Sequence, residues 1–70
     1  MRTWLWLVRA MPLDHCGGYG LLAFHPSKLV AIYQDEDSGN AVVILSAAGR
    51  WLVDRPAQEL INCWHRGEIP

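Results

Sequence analysis

The alternation of apolar and polar positions changes rhythm several times along this chain. From Thr3 to Arg9, Trp4, Trp6 and Val8 alternate with Leu5 and Leu7, so both faces are apolar. That pattern predicts a strand covered on both sides. Pro12 and the run Asp14-His15-Cys16-Gly17-Gly18 then break it, and residues 11–18 read as a loop. Tyr19 to His25 is a second apolar run, ended by Pro26-Ser27. Lys28 to Gln34, with Val30, Ile32 and Tyr33, predicts a third strand. Asp35-Glu36-Asp37-Ser38-Gly39-Asn40 is strongly polar between two apolar runs, the pattern of a solvated hairpin loop. A second hairpin follows, with Ala41 to Ser46 and Arg50 to Asp54 joined by the turn Ala47-Ala48-Gly49. The period then shifts to that of a helix, since Ala57, Leu60, Ile61 and Trp64 fall on one stripe. Asp54 is placed to cap that helix, Pro56 suits its first turn, and Gly67 stops it.

Five short strands followed by one helix predict an α+β fold. The expected form is a strongly curved antiparallel sheet with the C-terminal helix across a face or an open end; a small barrel is the alternative. A helix of about three turns does not hold alone, so its stripe must pack on the sheet or on another subunit. Residues 1–70 read as a single small domain, with no internal repeat, linker or low-complexity segment.

Composition narrows the function classes. With 51% apolar residues and 19% charged ones, the chain is not a disordered acidic or basic tail. Its six basic residues are scattered against seven acidic ones, which disfavours nucleic-acid binding driven by counterion release. No run approaches the ~20 apolar residues of a membrane span. Trp4 to Val8 is too short for the apolar core of an export signal, so a cytoplasmic protein is expected.

The glycine pattern Gly18-Tyr19-Gly20 meets Pro26 too soon to open a dinucleotide-binding helix. The Asp35 loop lacks the glycine and the bidentate glutamate that a calcium loop needs at its sixth and twelfth positions. His15, Cys16, Cys63 and His65 have the identities of zinc ligands. Their spacing is not that of a zinc site, because His15 and Cys16 are adjacent and Cys63 and His65 diverge by about 200° around a helix. Asp14-His15-Cys16 contains the residue types of a thiol triad, but consecutive side chains do not converge on one another. The sequence thus points to no enzyme and no cofactor, and two free thiols are expected in a reducing compartment.

Four tryptophans in 70 residues exceed what a small core encloses. Trp4, Trp6, Trp51 and Trp64 are therefore the candidate partner-binding residues, and another protein or a second copy of the chain, as a homodimer, is the expected partner. A nucleic-acid-binding or zinc-stabilised regulator is the alternative, using aromatic stacking on the strands or the His/Cys set.

From Gly18 onward the order of features resembles the FlbD/SwrD-type small flagellar regulatory proteins. The residues concerned are Gly18-x-Gly20, then Phe24-His25-Pro26-Ser27-Lys28-Leu29-Val30, the hairpin Ala41 to Val53 with its single turn Gly49, and the helix Pro56 to Arg66. The tryptophan-rich first strand, the glycine-rich first loop and Arg55-Pro56 depart from that pattern. The resemblance implies a small non-enzymatic regulatory or assembly protein and carries over no functional residue.

Overall fold

The computed structural model of the chain describes residues 5–70. Five antiparallel strands form one sheet: β1 (Trp6–Pro12), β2 (Gly20–Phe24), β3 (Leu29–Gln34), β4 (Asn40–Leu45) and β5 (Gly49–Pro56). Their order across the sheet is β2-β1-β5-β4-β3. The helix α1 (Ala57–Arg66) follows β5 directly and packs against β3, β4 and β5. β2 and β3 are the two edges and do not pair with each other, so the sheet stays open and the barrel alternative is not adopted. Among the described residues no helix is long and apolar enough to cross a membrane.

β1 is displaced from its expected position. The alternation placed it at Thr3 to Arg9, whereas the strand continues through Met11 and Pro12, which pair with Leu52 and Trp51 of β5. Pairing with a strand forty residues away overrides the local breaker, and because pairing with β2 ends at Ala10, Pro12 has a neighbouring strand on one side only, as at a sheet edge. Thr3 and Trp4 lie outside the described residues.

One face of the sheet carries the core. Trp6, Val8 and Ala10 of β1, Phe24 of β2, Leu29 of β3, Ala41, Val43 and Leu45 of β4 and Val53 of β5 meet Ala57 and Leu60 of α1. Period-2 alternation places them on one side, and the helix covers them. The opposite face has no helix over it among the described residues, although Val42 of β4 is buried there among its neighbours. Leu7 lies there opposite Ala23, and Leu21 opposite Arg9, with Leu7 57% and Leu21 80% exposed. The expectation that β1 would be covered on both faces is corrected here, because the one helix reaches one face only.

The helix stripe is also only half enclosed. Ala57 and Leu60 are buried and Cys63 packs against the core, while Ile61 and Trp64 turn toward its rim and stay exposed. The N-terminus follows Pro56 without any side-chain cap, since Asp54 remains in β5 and is not free to turn back. Gly67 closes the other end at φ 70°, with the Glu68 amide donating to the Cys63 carbonyl at 2.8 Å.

Both hairpins fall where expected. At the first, Asp35 Oδ2 accepts from the Ser38 amide at 3.1 Å and from its hydroxyl at 2.7 Å, while Gly39 supplies a φ of 77°. Asp35 therefore shapes the loop, and Glu36 and Asp37 are exposed.

Candidate functional site

Where α1 ends, the C-terminal segment after Gly67 doubles back beside the start of β1, leaving an apolar cleft of about 140 Å³. Cys63 and Trp64 of α1 form one wall, His25 and Pro26 form another, and Gly67, Glu68 and Ile69 complete the rim. Trp6 is the floor. Its volume is near that of an engineered cavity of about 150 Å³ that holds a benzene ring, so it is the size for one apolar side chain. The polar groups around it are few. The Ser27 amide donates to His25 Nδ1 at 3.1 Å and the Ser27 hydroxyl lies 2.7 Å from the same nitrogen, so a neutral His25 carries its proton on Nε2.

The four tryptophans do not share one role. Trp6 is 2% exposed, tilted against Phe24 with ring centroids 5.6 Å apart, and offers no surface to a partner beyond the cleft floor. It points to the helix side of β1, where the core lies, and reaches the surface only as that floor. Trp51 is partly buried against the core; its Nε1 donates to the Ala48 carbonyl at 2.8 Å and His15 meets its ring edge-on at 5.9 Å. Trp64 is 39% exposed and lines the cleft. Trp4 lies outside the described residues.

The His/Cys set is not assembled. His15 and Cys16 lie in the loop after β1, with His15 on Trp51, whereas Cys63 packs against the core from α1 and His65 is exposed in its last turn. Among the described residues no three His, Cys, Asp or Glu side chains come together as a metal site would require. Cys16 and Cys63 are both free thiols. Among the described residues, Arg50, Arg55 and Arg66 are paired with Asp14, Glu59 and Glu68 respectively, and the other two basic residues, Arg9 and Lys28, lie on separate elements.

A second polar feature lies at the opposite end of β1. Asp14 Oδ1 accepts from Arg50 Nε at 3.0 Å and Nη2 at 2.9 Å, and its Oδ2 accepts from the Arg50 amide at 2.8 Å. The Leu13 amide donates to the Arg50 carbonyl at 2.9 Å, so the loop is clasped to the start of β5 by four hydrogen bonds. The Arg50 amide and then its guanidinium hold the Asp14 carboxyl below its ordinary range, and the same pair raises the Arg50 pKa. A carboxyl depressed in the folded state stabilises the fold at pH values above its unfolded pKa of about 3.9, and that contribution fades as pH falls through the folded value. Thermal melts of the wild type and Asp14→Asn should differ most near neutrality and converge on acidification below about pH 4. A difference that did not change with pH would show that the carboxylate charge is not what holds the clasp.

Sequence reasoning did not find Pro26, Ile69 or the clasp. The residue directly after the helix-stopping Gly67, where an apolar contact usually accompanies such a turn, is Glu68, so no local signal marked Ile69. Asp14 and Arg50 are 36 positions apart, and no local pattern joins them. Compared with known proteins, the chain matches no family model, no curated protein and no solved structure.

Proposed function

We propose that the chain is a small non-enzymatic interaction module, regulatory in role, that binds another protein by taking one of its apolar side chains into the cleft beside Trp64. The observation that carries this reading is the cleft itself: a side-chain-sized apolar hollow walled by a half-exposed tryptophan, the residue type most enriched at binding hot spots. The resemblance to the FlbD/SwrD-type proteins supports a regulatory or assembly role of the same kind. Two unpaired cysteines, one of them exposed, suit a reducing compartment and so the cytoplasm.

The test is native mass spectrometry of the full chain purified from its host without chelator, for the wild type and Trp64→Ala. We expect a stoichiometric complex with another protein, lost in the variant while its far-UV circular dichroism is unchanged. A folded Trp64→Ala protein that keeps the same partner at the same stoichiometry overturns the reading. So does a stoichiometric zinc adduct, which would return attention to His15, Cys16, Cys63 and His65.

A further inference from the structure

We infer that the β2 edge pairs antiparallel with the β2 edge of a second copy, joining two five-stranded sheets into one sheet across a two-fold axis. β2 has β1 on one side and, among the described residues, no strand on the other. Natural sheets blunt such edges with charge, proline, a bulge or a covering element. Gly20-Leu21-Leu22-Ala23-Phe24 has no charged residue and no proline, and its five pairs with β1 run without a register shift. The other edge is treated differently: β3 slips register against β4 between Leu29 and Ala31, and α1 packs against it. A bulge twists an edge away from further pairing, so β2 is the edge left open.

A second copy is the occupant that this edge fits. An axis through Leu22 sets it opposite the partner's Leu22 and sets Leu21 opposite the partner's Ala23, a large side chain against a small one in both directions. The same axis gathers apolar surface that the single chain leaves in water. Leu21 is 80% exposed, and Leu7 lies diagonally across from it on the same face, so each copy brings an exposed leucine pair to the seam. A standard interface takes about 800 Å² from each partner, roughly a sixth of the 4689 Å² this chain exposes, so the leucines must contribute beside the backbone ladder. Stacking two sheets face to face is the poorer solution. Arg9, Arg50 and Asp54 lie on the open face and would lose their water there.

The test is sedimentation equilibrium of the full chain over micromolar to submillimolar concentrations, with amide hydrogen exchange measured across the same range. We expect a dimer whose amides in residues 20–24 exchange more slowly as concentration rises, while those in residues 29–34 do not change. Leu21→Lys, at a position exposed enough to keep the fold, should weaken the dimer about tenfold or more by setting like charges near the axis, whereas Val30→Lys near the other edge should not. A monomer at every concentration, protection that appears in residues 29–34 instead, or a dimer indifferent to Leu21→Lys overturns the inference. Trp64→Ala should leave this dimer intact, so the failure of either proposal is distinguishable from that of the other.

Discussion

Trp6→Ala should unfold this protein or lower its melting temperature by more than about 12 °C, the largest effect expected of any single substitution considered. Trp6 is 2% exposed at the junction of β1, β2 and the end of α1, and its ring lies against Phe24. Truncating a buried tryptophan costs about 3–5 kcal/mol, the transfer free energy of the ring plus that of the cavity left behind. A single core in a chain of this length supplies only about 3–5 kcal/mol of net stability, so the loss equals the whole margin. Each kcal/mol corresponds to roughly 4–8 °C in a domain of this size. Trp6→Phe, which keeps an aromatic ring against Phe24, should lie between the two. A circular dichroism melt that moved by only a few degrees in Trp6→Ala would show that the ring is not at the centre of the core.

The second large effect is expected at Gly49, the residue that opens β5. It holds φ 78°, a region that costs an L-residue roughly 1–2 kcal/mol. A methyl group there would also stand 2.7 Å from Asp14 Oδ2. A lone carboxylate would swing aside cheaply, but this one accepts the Arg50 amide through that same oxygen, so moving it opens the clasp. Gly39 has the same φ of 77° with only the end of the Gln34 side chain nearby, at 3.7 Å, and serves as the control. Urea denaturation should find Gly49→Ala clearly less stable than Gly39→Ala. In an Asp14→Ala background the two alanine substitutions should cost the same. If they already cost the same in the wild-type background, the contact with Asp14 contributes nothing.

The elements were legible from the chain wherever the signal was local. Ala57 and Leu60 fell on one helical stripe, Gly67 stopped the helix, and the polar run from Asp35 to Asn40 marked a hairpin, because spacing and turn chemistry act within a few residues. What was misread depended on a distant partner. Met11 and Pro12 looked like loop until β5 was placed beside them. Whether Trp6 faces the core or a partner was open for the same reason: two apolar faces on one strand do not reveal which of them the single helix will cover.

The candidate sites follow the same division. Trp64 was singled out from composition and helical position alone, and it does line the cleft. The His25-Pro26 wall, the Ile69 rim and the Asp14–Arg50 clasp come from segments far apart in the chain, which only the folded arrangement brings together.

By itself, then, the sequence determined five strands, one terminal helix and their α+β class, because hydrophobic period and turn residues are properties of neighbouring positions. The tertiary structure decided which face of the sheet is the core, which strands are its edges and which of the described tryptophans is exposed. Those are outcomes of one short helix that can cover only one side of a five-stranded sheet, leaving Leu7 and Leu21 in water and Trp6 beneath the cleft.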